Sequence, residues 1–449
     1  MFRSIPLLSL TLVICTLMSS RAFAWSDHAS LVWPLLRNMP EMLVPSVSAE
    51  RLEDFVAAEA NGLERVLAEH EAFARASWPH YAARPDALAF DAVQDGDLRG
   101  AFLRAIRVNP DLSLPLYRQT TVEDELPPGS PLLRFADFSF MQGGVSHETV
   151  TYLLLRPGQR VSPAHVLASG SDEPDFGLDI GLFEDNDSEH GKRYGFGSQS
   201  FGNPNLEFSS QAPFHMGFYH LDWLTEMAQP DLLRTYPEWR VSLYRELSRF
   251  AFASGHDYWG WRFAGWALHY IGDLTQPYHA HPLPGVGTLE ALWLVARGQT
   301  ADAVQLVSNR HGVLESYQYQ RVQAALDAKA WDNPILVAIA SAGVSDEAVP
   351  EFNESTLRDT LTAESVAAGE ALDEALEQHM PARFVSDPAF EWTGSGEEGA
   401  IVDAVRDAGG DAAVRALDSA VAAQMQQFSR YARAWIDDAL VAPRRAQTP

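Results

Sequence analysis

His269 and Asp273 stand four residues apart in an apolar, aromatic run, and His279 follows just after Pro277. In a helix, residues four apart share one face, one turn from each other. Pro277 cannot continue that helix. The spacing therefore predicts a helix end and a loop that carries His279 back toward the other two. An imidazole, a carboxylate and a second imidazole would then meet in a small volume, and these are ligands zinc takes where no thiolate is at hand. A lone histidine beside aromatic residues is more often a satisfied core residue; the three together at this spacing outweigh that reading.

No thiolate is expected. The only cysteine is Cys15, inside what reads as a secretory leader. Arg3 supplies its charged start, Ile5 to Leu17 its apolar stretch, too short to span a bilayer, and Ala22-Phe23-Ala24 a cleavage site. Residues 1–24 would be removed and the mature chain would begin at Trp25, in the periplasm or outside the cell. It would be long enough to bury a core without disulfides. No later segment has the length and apolarity of a transmembrane helix.

The chain carries 33 Lys+Arg against 60 Asp+Glu, a net charge of -27, and loss of the leader's Arg3 and Arg21 makes this -29. Lys192 and Lys329 are its only lysines. Such a surface favours solubility and repels polyanions unless a basic groove or bound metal reverses the field. Stable nucleic-acid binding is not expected.

Apolar residues recur at helical spacing along most of the chain. Leu52, Phe55, Val56, Leu63, Val66, Leu67 and Phe73 make one stripe, with Ser48 as a plausible N-cap. Tyr244, Leu247 and Phe250 make another, and Trp259, Phe263, Trp266 and Tyr270 back the His269–Asp273 helix. Leu357, Leu361, Ala368, Leu372 and Leu376 form a further stripe; Val414, Leu417, Val421, Phe428 and Trp435 form the last, started by Asp411 after Gly409-Gly410. With no sustained period-two run, the predicted class is all-α. Residues 25–345 would form one large helical domain, and 346–449 a helical C-terminal extension packed on it. Three irregular segments interrupt the helices: Asn109–Gly144, Pro163–Pro213 and Ser386–Gly399. The second, roughly 50 residues of presumed irregular chain, is best explained by active-site loops.

His311 and Glu315 are again four apart, at the predicted opening of the next long helix. Alone, that pair would be an ordinary helix-surface contact. After the first motif it reads as a second ligand pair of the same design.

The run His269-Tyr-Ile-Gly-Asp273-Leu-Thr-Gln-Pro277-Tyr-His279, followed by His311-x3-Glu315 and preceded by a predicted N-terminal Trp25, resembles the zinc-dependent phospholipase C family. That family includes phosphatidylcholine-cleaving bacterial enzymes and the catalytic domain of clostridial alpha-toxin, and is related to the fungal zinc nucleases. The resemblance spans Trp25 to Leu326 and implies two or three zinc ions. Trp25, through its amine and carbonyl, and His28 would hold one, although His28 follows Trp25 more closely than in the family. Asp273 would bridge this ion to a second, shared with His269, Asp175 and either His215 or His220, of which His215 is favoured. His279, His311 and Glu315 would hold the third. His256 and His281 flank the motif but fill no position in it.

The resemblance further implies hydrolysis of phospholipids at a membrane or micelle surface to diacylglycerol and a phosphorylated headgroup, with Asp175 as candidate general base. Phe176, Phe183, Tyr194, Phe196 and Phe201 would either shape a headgroup pocket or pin the loop. Two alternatives stand beside this. Thr275-Gln276-Pro277, and Pro282 where many phospholipases have Asn, lean toward a zinc nuclease; Glu315, where nucleases carry Asp, leans away from it. A secreted helical protein with purely structural metals is the non-enzymatic alternative.

Overall fold

The helical stripes close into helices that surround one buried rod. The computed structural model describes residues 27–93, 96–139, 150–204, 207–286, 297–343 and 349–446; the leader, Cys15 and Trp25 lie outside them. In chain order the main helices are α1 (His28–Leu36), α2 (Ala60–Ser77), α3 (Pro163–Asp172), α4 (Pro237–Ala253), α5 (Asp257–Leu274), the single turn α6 (Pro277–Ala280), α7 (Thr300–Asp327), α8 (Thr362–His379) and α9 (Ile401–Ala446).

Helix α5 is buried on every side from Tyr258 to Leu274, which makes it the central element. Helices α3, α4 and α9 pack around it. The approach of α3 is close because two glycines face each other. A Cβ at Gly265 would lie 2.5 Å from the Leu167 carbonyl oxygen, and one at Gly170 would lie 2.9 Å from that of Arg262. This contact sets the end of α3, and the turn Glu173–Phe176 beyond it, against the C-terminal half of α5. On another side the Trp435 Nε1 hydrogen of α9 is donated to the Ala264 carbonyl at 2.9 Å. One apolar core runs from Ala29 to Ala439, so the segment from Phe352 to Ala439 shares the core of the preceding chain.

The fold is mostly helical. To the helices the structure adds two small antiparallel sheets. Strands β1 (Val47–Ser48), β2 (Tyr117–Gln119), β3 (Leu132–Leu133), β4 (Tyr152–Leu154) and β5 (Arg160–Val161) pair as β1–β5 and, in the order β2–β4–β3, with Tyr117 opposite Leu154 and Leu132 opposite Leu153. Strands of two or three residues are too short to show a period of two in the sequence.

Several local expectations are corrected. Ser48 lies in β1 rather than capping a helix, and the first stripe breaks at Glu59 into two helices. The segment 163–213 is not irregular throughout: it opens with α3, capped by Ser162. His311 and Glu315 sit in the middle of α7, not at its start. Gly410, at φ 67°, interrupts α9, so Asp411 follows a kink inside a longer helical segment.

Candidate metal centre

Each candidate ligand is placed by a different local device. His269 and Asp273 share a face of α5, as their spacing requires. Pro277 starts α6, whose third residue is His279, so the returning loop is a helical turn. His28 is the first residue of α1, whose N-cap Asp27 accepts from Ser30 N. His215 ends the short helix Ala212–His215, and Asp175 lies on the turn Glu173–Phe176.

In the first cluster, the two oxygens of Asp273 face different partners. Oδ2 lies 2.9 Å from His215 Nδ1 and 3.3 Å from His269 Nε2. Oδ1 lies 3.3 Å from His28 Nε2. The two facing nitrogens of His215 and His269 are 3.0 Å apart. Asp175 Oδ1 stands further back, 3.9 Å and 3.8 Å from those nitrogens, and accepts from Gln211 Nε2 at 3.1 Å. Tetrahedral zinc with ligands at about 2.0–2.1 Å spaces those ligands about 3.3 Å from one another. The observed separations surround that figure.

In the second cluster, His279 Nε2 lies 3.0 Å from His311 Nε2 and 3.8 Å from Glu315 Oε1, and His311 Nε2 is 2.7 Å from that oxygen. Gln276 Nε2 donates to Glu315 Oε1 at 2.9 Å. All eight side chains of the two clusters are buried.

The hydrogen bonds around the clusters suit a metal. His269 Nδ1 donates to the Ser171 carbonyl at 2.8 Å and His279 Nδ1 to the His215 carbonyl at 2.9 Å. A carbonyl only accepts, so in the neutral ring the lone pair falls on Nε2, the nitrogen that faces the other candidate ligands. Among the described residues, His28 Nε2 and Asp273 Oδ1 are buried and close no hydrogen bond despite facing each other. Buried polar atoms rarely remain so, and a shared cation would satisfy both.

Burial and mutual proximity also shape the charges. Burial opposes the cation at His215, yet Asp179 and Asp273 push it up to about 10. Burial likewise opposes charge on Asp273, yet His269, His215 and His28 hold it well below the usual carboxylate range. Burial pushes Asp175 up to about 6, raises Glu315 and lowers His311 and His269. Metal binding at such a cluster displaces protons.

A layer of partners fixes these groups. Asp179 is buried between Arg240 and the Tyr270 hydroxyl and stands 3.5 Å from His215 Nε2. Glu173, next but one to Asp175, accepts from Arg262, the Trp266 indole and, at 2.7 Å, the Tyr117 hydroxyl. Gly272 leaves room for a ring: a Cβ there would lie 3.0 Å from His28 Nδ1. Sequence reasoning assigned none of these roles. The available signal was an arginine inside an apolar helical run, at Trp239-Arg240 and Trp261-Arg262-Phe263, because a buried arginine requires an acidic or carbonyl partner.

The structure places His220 elsewhere. Its Nε2 lies 2.7 Å from the Arg358 carbonyl oxygen and 3.1 Å from Thr362 Oγ1. His256 pairs with Glu50 and Glu59, and His281 Nδ1 accepts from Leu283 N. Of the loop aromatics, Phe176, Phe183, Tyr194, Phe196 and Phe201 are all buried, and Phe183 and Phe196 pack on Phe214 and Tyr236. They therefore pack into the interior and pin the segment. Among the described residues, no helix is long and apolar enough to cross a membrane. Comparisons with protein-family models, with curated proteins and with solved structures find no match.

Proposed function

We propose that this chain is an exported zinc phosphodiesterase that hydrolyses phospholipids of the phosphatidylcholine type to diacylglycerol and a phosphorylated headgroup. The observation that carries the reading is Asp273, whose two oxygens face two separate histidine positions. A bridging carboxylate between neighbouring sites suits a pair of cations acting on one phosphate. His28 would serve one position and His215, His269 and Asp175 the other, with His279, His311 and Glu315 as a third. Trp25 would add its amine and carbonyl beside His28.

When bound, zinc supplies positive charge for the phosphate and makes a water acidic enough to act near neutral pH. The chain supplies orientation. Ser171 and the His215 backbone fix the rings of His269 and His279, and Arg240 and Tyr270 fix Asp179 beside His215. Asp175, set back from the histidines, would be the group to take up a proton from the attacking water. The net charge of -27 favours a zwitterionic lipid over a polyanionic substrate.

The burial of all eight side chains favours a second reading, in which metals only hold the fold. One assay separates the readings. Purified protein is given phosphatidylcholine and single-stranded nucleic acid, before chelation, after it, and after zinc is restored. Zinc-dependent phosphocholine release supports the proposal. Cleavage of nucleic acid alone would replace it with the nuclease, and bound zinc without hydrolysis of either would leave the structural role.

A further inference from the structure

A cavity of about 570 Å³ opens between the end of α2, the Phe218–Tyr219 segment, the start of α4 and the turn before α8. None of the eight clustered side chains lines it. Its size falls in the class that takes small molecules, about 300–1,000 Å³. Its walls are aromatic: Phe73, Trp78, Tyr81, Tyr219, Tyr236 and Trp239.

The charges around it are mostly acidic. Glu226, Glu354 and Asp359 line the cavity, are exposed and close no ion pair among the described residues. The one arginine in the lining, Arg358, is paired with Glu238, and its guanidinium lies 4.3 Å from the Tyr219 ring centroid. A cation thus already rests on one ring of this cavity. Arg107 lies 5.2 Å from Tyr81 and 4.7 Å from Trp239, so those rings also carry one. Trp78 carries none among the described residues. Tyr236 is 1% exposed and its hydroxyl closes no geometrically sound hydrogen bond among the described residues; the neighbouring Arg234 donates to the Phe196 and Ser198 carbonyls.

We propose that this cavity binds an organic ammonium ion, with Trp78 as the ring beneath the cation, Glu354 and Asp359 as its attracting charges and the Tyr236 hydroxyl as an acceptor. Tryptophan is the strongest aromatic partner for a cation. The acidic excess repels an anion and gives a neutral sugar no advantage. The inference stands apart from the metal reading, since the two share no side chain.

The test titrates the protein as isolated with n-butylammonium chloride and with n-butanol, its neutral counterpart of similar shape, following tryptophan fluorescence and heat. The ammonium is expected to bind about tenfold more tightly than the alcohol, a margin that one desolvated cation–ring contact supplies. Trp78→Ala should weaken it by about the same factor. The exposed pair Glu354→Gln and Asp359→Asn should weaken it too, without touching the fold. Equal binding of alcohol and ammonium, no saturable ammonium binding, unchanged affinity in the acidic-pair variant, or binding of methyl glucoside in place of the ammonium would each overturn the proposal.

Discussion

The main-chain oxygen of His215 accepts the Nδ1 hydrogen of His279 at 2.9 Å, while the ring of His215 lies 2.9 Å from Asp273. One residue therefore contributes a side chain to the first cluster and a backbone acceptor to the second. The side chain and the backbone can be separated by mutation.

His215→Ala is expected to remove one ligand and leave the backbone acceptor in place. Elemental analysis should show loss of the ion shared with His269 and retention of the ion at His279, His311 and Glu315. Asp273→Ala should lose metal on both sides of the carboxylate. It should also lower phospholipid hydrolysis by roughly a hundredfold or more, because changes one layer further out already cost 10–100-fold. Full metal content in Asp273→Ala would place the ions elsewhere.

Gly272→Ala tests the approach of α1 to α5. The added Cβ would meet His28 Nδ1 at 3.0 Å and Phe428 Cε2 at 3.2 Å, so the His28 ring must shift by a few tenths of an ångström. Metal affinity at the His28 position should fall by about tenfold with far-UV circular dichroism unchanged. A competition titration against a chelator reads this directly, and unaltered affinity would mean that the ring is free to move.

Arg240→Met tests the support behind His215. Arg240 and Asp179 are both fully buried. Removing the cation leaves an uncompensated buried carboxylate, which costs about 3–5 kcal/mol. Urea denaturation of wild type and variant at neutral pH gives the difference. Replacing both, with Asp179→Leu added, should recover part of it.

His70 predicts a pH effect away from the metal clusters. Burial lowers its pKa to about 4 from 6.5, and its Nε2 lies 3.1 Å from Ser242 Oγ. The unfolded chain therefore binds a proton before the folded one does. The contribution to stability is fully present above about pH 6.5, is lost progressively as the pH falls toward about 4, and amounts to about 3 kcal/mol at most. His70→Gln should lose less stability over that window than wild type. Parallel stability curves for the two would show that His70 does not titrate there.

The sequence made legible what depends on neighbours along the chain. His269 with Asp273, and His311 with Glu315, share helix faces because four residues span about one turn, and α5 follows from its aromatic stripe. Contacts across the fold were less legible. His215 and His220 have similar aromatic surroundings in the sequence, and only the packing of the 212–215 turn on α5 separates them. Helix α3 was hidden because its Ser, Gly and Pro residues read as loop; its helicity comes from the Ser162 cap and from the glycine crossing with α5. The loop aromatics proved to be core, since an aromatic residue in an irregular segment reads alike whether it faces solvent or interior. The partners Asp179 and Glu173 needed the arginines of α4 and α5 to identify them.

The first residue of α1 faces a carboxylate on α5, with more than half of the chain running between them. A metal held by His28 and Asp273 would be a cross-link closing a very long loop, the kind of tie that restricts an unfolded chain most. Disulfides are another tie of that kind, and this sequence has a single cysteine. The ion proposed for chemistry would thus also fasten the amino-terminal helix to the centre of the molecule, so that a chelator would loosen the beginning of the chain along with the site.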